Sequence, residues 1–141
     1  MVACTFFGHR DCPDSICPKL RSVLVDLIEN QQADTFYVGR QGSFDELVYA
    51  ALRELSAKYP HIRYAVVLER LSGKSTDDFT ETLFPEEMEN VPPRFAIDRR
   101  NNWMLQQADF VVVYVTHTWG GAAKFAKKAE KQGKAVINLA D

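Results

Sequence analysis

Phe110-Val111-Val112-Val113-Tyr114-Val115 runs directly into Thr116-His117-Thr118-Trp119-Gly120-Gly121. Six consecutive apolar residues read as a strand buried on both faces, the pattern of a parallel sheet. The two glycines precede a helix whose apolar face is Ala122, Phe125, Ala126 and Ala129. Lysines fill its final turns and Gly133 ends it, and both features suit a helix C-terminus. A last strand covers residues 135–139. A strand buried on both sides needs helices above and below it, so the fold turns on whether the rest of the chain alternates strand and helix.

It does. Val2 to Phe7 is a short apolar run stopped by Gly8 and reads as the first strand. Leu20, Val23, Leu24, Leu27 and Ile28 recur at helical spacing, which predicts a helix from about Pro18 to Asn30. Thr35 to Val38 is a second strand, stopped by Gly39. Ser43 opens a helix with Phe44, Leu47, Val48, Ala51, Leu52 and Leu55 on one stripe, and Ser43 and Glu46 have capping-box spacing. Ile62 to Leu68 is a third strand. From Glu69 to Asp98 the pattern weakens, with eight acidic residues against three basic ones and three prolines, Pro85, Pro92 and Pro93. This stretch is expected to be a long excursion with one helical turn, in which Phe79, Leu83, Phe84 and Met88 can cover a pocket or a partner. A helix from about Ala96 to Gln107 then leads into the strand at 110. The order β-α-β-α-β-excursion-α-β-α-β predicts an α/β fold over residues 1–141: a single Rossmann-like domain of three α/β/α layers around a five-stranded, mainly parallel sheet.

Bulk properties narrow the function classes. The 141 residues are 46% hydrophobic and 26% charged, an ordinary globular composition. The net charge of −2 and pI near 5.9 give no global attraction to nucleic acid or anionic membranes, so neither is expected as a partner. No apolar run approaches the ~20 residues of a membrane span, and Met1 to Arg10 turns polar too soon for a secretory signal. A cytoplasmic location is expected. Cys4, Cys12 and Cys17 do not form a disulfide framework by count, and Cys4 reads as a small buried hydrophobe. His9, Cys12 and Cys17 fall one ligand short of a closed zinc site, so no metal is expected. Walker A, Gly-x-Gly-x-x-Gly and nucleophile-elbow motifs are missing, which argues against a standard dehydrogenase or ATPase.

In an open parallel sheet, ligands bind beyond the carboxyl ends of the strands. Three unusual loops lie there: Gly8-His9-Arg10-Asp11, Gly39-Arg40-Gln41-Gly42-Ser43, and Thr116 to Gly121. The second and third open helices, whose free N–H groups and dipole suit an anion. Arg10 and Arg40 can pair bidentately with phosphate or carboxylate, or remain solvated surface arginines. On the helix before the strand at 110, only one of Arg99 and Arg100 can face the site. Asn101, disfavoured mid-helix by propensity, is a further candidate, whereas Trp103 and Met104 read as core. Trp119 can stack on a base, cover the pocket mouth, or pack on its own loop or on a partner subunit. Glu69, at the end of the third strand, completes the set.

These motifs resemble the SLOG superfamily, in its DUF1273/YpsA-like branch of small bacterial proteins. The resemblance rests on Phe6-Phe7-Gly8-His9-Arg10, on Tyr37 to Asp45, on Ala96 to Met104, and on Ala108 to Val115 with Trp119-Gly120-Gly121-Ala122, and it covers nearly the whole chain. It implies a Rossmann-like fold that binds nucleotides or nucleotide-derived ligands, and a homodimer. The LONELY GUY phosphoribohydrolases and the DprA DNA-processing proteins are relatives of this group. Where the phosphoribohydrolases carry a Gly-Gly-x-Gly-Thr-x-x-Glu loop, this chain is similar through Gly120 and Gly121 but has Ala123, Lys124 and Lys127 at the later motif positions. Lys127 stands where the resemblance puts a catalytic glutamate, and a lysine neither stabilises a cationic sugar nor activates water as a carboxylate does. Asp11, Asp45, Glu46 and Glu69 are the replacement carboxylates to weigh.

The leading expectation is therefore a nucleotide or ADP-ribose-like ligand, without a further cofactor, bound by a sensor or binding protein. The alternatives are a hydrolase of a nucleotide glycosidic or phosphate bond, and a DNA-associated or protein-interaction module. The ligand-binding candidates are Gly8, His9, Arg10, Gly39, Arg40, Gln41, Gly42, Ser43, Glu69, Arg100, Asn101, Thr116, Trp119, Gly120 and Gly121.

Overall fold

The structure is a computed structural model that describes residues 1–71 and 81–141. Its strands are β1 (Ala3–Gly8), β2 (Thr35–Val38), β3 (Arg63–Val67), β4 (Thr82–Leu83), β5 (Phe110–Tyr114) and β6 (Ala135–Asn138). Its helices are α1 (Cys17–Glu29), α2 (Ser43–Lys58), α3 (Pro93–Gln107) and α4 (Gly121–Lys131), with short 3-10 turns at Asp14–Ile16 and Glu86–Met88. The sheet order is β4-β3-β2-β1-β5-β6 and every neighbouring pair is parallel. Strand order reverses direction between β1 and β5, so the central strand β1 pairs with β2 on one side and β5 on the other.

The helices fall into two layers. Leu20, Leu24 and Leu27 of α1 and Phe44, Val48, Leu52 and Leu55 of α2 pack against Cys4, Phe6, Phe36, Val38 and Val66. On the opposite face, Met104 and Leu105 of α3 and Phe125, Ala126 and Ala129 of α4 pack against Phe7, Val111 and Val113. Alternate residues of β1 and β5 thus feed opposite cores, as the period of two requires. Two carboxylates pin the start of β1: Asp34 accepts from the Val2 N–H at 3.1 Å and Asp109 from the Ala3 N–H at 3.0 Å.

The sheet has six strands where five were expected. The extra one, β4, is two residues long and lies inside the acidic excursion, where no alternating pattern announces it. Its existence depends on pairing with β3, which is a tertiary contact. In the same excursion Met88 is buried and Phe84 packs on the core beside α1 and α2, while Phe79 lies outside the described residues. The α3 helix begins three residues before the expected Ala96, with Pro93 at its first turn, where a missing N–H costs nothing. Among the described residues, no helix is long and apolar enough to cross a membrane.

Candidate functional site

A cleft of about 550 Å³ opens beyond the carboxyl ends of β1, β2 and β5, at the reversal of strand order. The loop after β1 contributes Gly8, His9, Arg10 and Asp11. The loop after β2 contributes Gly39 and Gln41, and α3 contributes Ile97, Arg100, Asn101 and Met104. The far wall is Thr116, His117, Trp119, Gly120, Gly121 and Ala122. Eleven of the fifteen expected residues meet here. Arg40, Gly42, Ser43 and Glu69 do not line the cleft, and each has a structural task instead.

Glu69 is held by two arginines. Arg40 donates from Nε to both carboxylate oxygens at 3.1 Å and from Nη2 to Oε1 at 2.9 Å. Arg100 approaches Oε2 through Nη1 at 3.3 Å and gives the same nitrogen to the Val67 carbonyl at 3.2 Å. Burial pushes the Glu69 carboxyl up, but the Arg40 hydrogen bond and the charges of both arginines outweigh it, and the net shift is down. Arg100 is 1% exposed, whereas its neighbour Arg99 is exposed, so one arginine of the pair turns inward as helix geometry demands. Its Nε donates to Asn101 Oδ1 at 2.8 Å, which gives the mid-helix asparagine a local role.

Ser43 ties two of the loops together. Its Oγ accepts the Cys12 N–H at 2.7 Å and donates to the Arg10 carbonyl at 2.5 Å, and its N–H reaches the same carbonyl at 3.0 Å. The expected capping box is therefore not made. Gly42 occupies the N-cap position, Ser43 is the first helical residue, and Glu46 is exposed. Asp45 takes over the reach-back instead, accepting the Gln41 N–H at 2.8 Å. Asp45 lines the cleft, and burial raises its carboxyl above the ordinary range despite the Gln41 hydrogen bond and the charge of Arg100. Gly42 is needed for this clamp, because a Cβ there would stand 2.7 Å from Arg10 Cα.

The far wall is an aromatic stack. His9 and His117 lie face to face with centroids 3.7 Å apart, and His117 meets Trp119 at the same distance. His9 Nε2 accepts the Thr116 N–H at 3.0 Å, so the loops after β1 and β5 are joined. Burial lowers the His9 pKa, and His117 lowers it further. Trp119 itself is 69% exposed. Gly120, at φ 92°, turns the chain into α4 in a conformation that favours glycine. No side chain caps α4, and among the described residues nothing pairs with its first amides, which lie at the cleft wall. Arg10 lines the cleft from the loop after β1, is exposed, and forms no ion pair among the described residues.

The remaining candidates are also placed. Lys127 is exposed on α4 and does not line the cleft. Of the four carboxylates weighed as its replacement, Asp11 and Asp45 line the cleft and Glu46 and Glu69 do not. All three cysteines are free thiols, and among the described residues no three His, Cys, Asp or Glu side chains are grouped to hold a metal ion. Sequence reasoning weighed Asp45 as a replacement carboxylate but left it out of the ligand-binding set, and it did not place His117 at the centre of a stack. Spacing alone explains the first as a helix-start carboxylate, and the second needs the approach of the loop after β1.

No family model matches this sequence, and no curated protein does. Solved structures are similar in fold, two of them DprA proteins. One is DNA processing protein A (DprA) from Streptococcus pneumoniae, with TM-score 0.70 and 14% identity over 98% of this chain and 50% of that one. The other is DNA processing protein A from Helicobacter pylori, with TM-score 0.67 and 11% identity over 97% of this chain and 64% of that one. The fold is DprA-like. The fold agrees with the one the motif resemblance implied, and the chain spans half to two thirds of the length of these DprA proteins.

One expectation is corrected by this likeness. The net charge argued against a nucleic-acid partner, yet the Helicobacter protein of this fold is described as binding single-stranded DNA. Net charge sums the whole surface, and here the acids of the excursion offset the lysines of α4 and the arginine at the cleft lip. A sum of that kind does not describe the potential at one local site.

Proposed function

We propose that the cleft binds a phosphate-bearing nucleotide unit. The observation that carries this reading is the uncapped start of α4 opening into a cleft at the reversal of strand order, with Arg10 lining the same cleft. Unpaired amides and the helix dipole favour an anion. Arg10 can add a bidentate contact to phosphate oxygens. Gln41, Asn101, Asp11 and Asp45 supply both donors and acceptors for sugar hydroxyls and base edges. The volume lies within the ~300–1,000 Å³ usual for small-molecule sites.

The DprA-like fold favours a second reading, in which the nucleotide unit belongs to a single strand of nucleic acid. Both readings use the same anion cradle. Thermal unfolding with nucleoside monophosphates, ADP-ribose and a short single-stranded oligonucleotide separates them, because a ligand of the native state raises its midpoint by mass action. Arg10→Ala and Gly121→Val should each abolish the shift. A Cβ at Gly121 meets nothing within 4 Å, so the larger side chain fills the cleft without disturbing the fold. Binding that falls steeply with salt and needs the oligonucleotide supports the strand reading. Recovery of unchanged ligand distinguishes binding from hydrolysis. No shift with any phosphate-bearing ligand at millimolar concentration rejects the site.

A further inference from the structure

We infer that Trp119 is a stacking platform for the nucleobase, an inference that rests on the nucleotide reading of the cleft. Three planar rings already form a column there: His9, His117 and Trp119, with centroids 3.7 Å apart at each step and planes 12° and 18° from parallel. His117 has both faces covered. Trp119 covers one of them, and no ring or cation among the described residues lies against its own second face. It is the most exposed Phe, Tyr or Trp ring among the described residues, lines the cleft, and sits directly before Gly120 and the uncapped start of α4. An indole left open at that place costs exposed apolar surface that a core would have buried. The His9–Thr116 hydrogen bond and the His9–His117 contact support the ring on which the inner face of Trp119 stacks, which lowers the ordering cost when a second ring stacks on the outer one. A base on that face would extend the column to four rings while its phosphate meets the start of α4. Every base has a π-face, so the platform holds the ring without selecting its identity.

The test uses the four ribonucleoside 5′-monophosphates, ribose 5-phosphate and oligothymidylate as probes, with calorimetry and tryptophan emission as readouts. Mononucleotides should quench emission, and Trp119→Ala should weaken their binding about 5- to 150-fold, the range expected for one base on one aromatic ring. Binding of ribose 5-phosphate should stay unchanged, and Trp119→Phe should restore most of the loss. A loss confined to oligothymidylate supports the platform too and identifies a strand as the source of the base. Equal loss of ribose 5-phosphate and mononucleotide, or no loss with any of the three kinds of probe, overturns the platform while leaving the cleft reading intact. Failure of every probe to bind the unmodified protein overturns both.

Discussion

The Arg100 guanidinium occupies the space that any side chain at Gly39 would need. A Cβ built on Gly39 would stand 3.0 Å from Cζ and Nη2 of Arg100 and 3.1 Å from Nη1. Arg100 has little room to give way, because Val67 and Glu69 hold Nη1 and Asn101 holds Nε. The glycine after β2 therefore serves the buried arginine first. Gly39→Ala should cost about 1–3 kcal/mol of stability, the usual range for overpacking, as read by urea unfolding. Gly121→Val, with open space at its Cβ, should leave stability within about 1 kcal/mol of the parent.

Glu69 is the only carboxylate hydrogen-bonded to both Arg40 and Arg100 among the described residues. Its removal leaves two buried cations facing each other. Glu69→Ala should destabilise the fold by about 3–5 kcal/mol, more than is usual for a surface ion pair, because Arg40 and Arg100 lose the carboxylate they share in a site with little water. The linked pH effect has a definite sign. The folded-state pKa lies below the ordinary 4.5, so the contribution is complete above that value and is lost as pH falls below it. Acid unfolding of the parent should be steeper below pH 4.5 than that of Glu69→Gln.

His9 shows the opposite chemistry with the same slope. Burial and the neighbouring His117 depress its pKa below 6.5, and its Nε2 must stay unprotonated to accept the Thr116 N–H. The unfolded chain binds the proton more readily, so stability should fall as pH drops below about 6.5. His9→Gln should remove that part of the slope. An NMR titration of His9 checks the point directly: a midpoint at or above 6.5 would reject it.

The sequence made the layers legible because burial on both faces leaves an unmistakable signature. Phe110 to Tyr114 and Ala3 to Phe7 could be placed from their apolar runs, and the glycines that stop the first two strands marked the ligand end of the sheet. What stayed hidden depended on contacts between distant residues. Ser43 has the spacing of a cap, but its hydroxyl is taken by Cys12 and Arg10, 31 and 33 residues away. Arg40 and Glu69 looked like ligand groups for the same reason that they pair with each other: opposite charges at the ends of adjacent strands. Net charge misled because it averages over the cleft lip and the acidic excursion alike.

Asp45 carries a cost that a neutral side chain would avoid. Burial raises its folded pKa above the ordinary 3.8, so the native state holds this carboxyl's proton more tightly than the unfolded chain does. Stability attributable to this group therefore increases as pH falls through the window between the folded value and 3.8, and the charged form at neutral pH is the penalised one. Asp45→Asn keeps an oxygen to accept the Gln41 N–H and removes the charge. Arg100 retains Glu69 as its partner. The variant should therefore be more stable than the parent at pH 7, by about 0.5–2 kcal/mol. That gap should close as the buffer is acidified towards 3.8. Removing a negative charge from the cleft wall should also tighten the binding of phosphate-bearing probes, severalfold at low salt and less at high salt, where screening weakens the repulsion. Calorimetric titrations at two ionic strengths, paired with thermal melts across pH, test both halves. Weaker phosphate binding in Asp45→Asn would mean that the carboxylate holds a ligand hydroxyl or amine rather than repelling its anion.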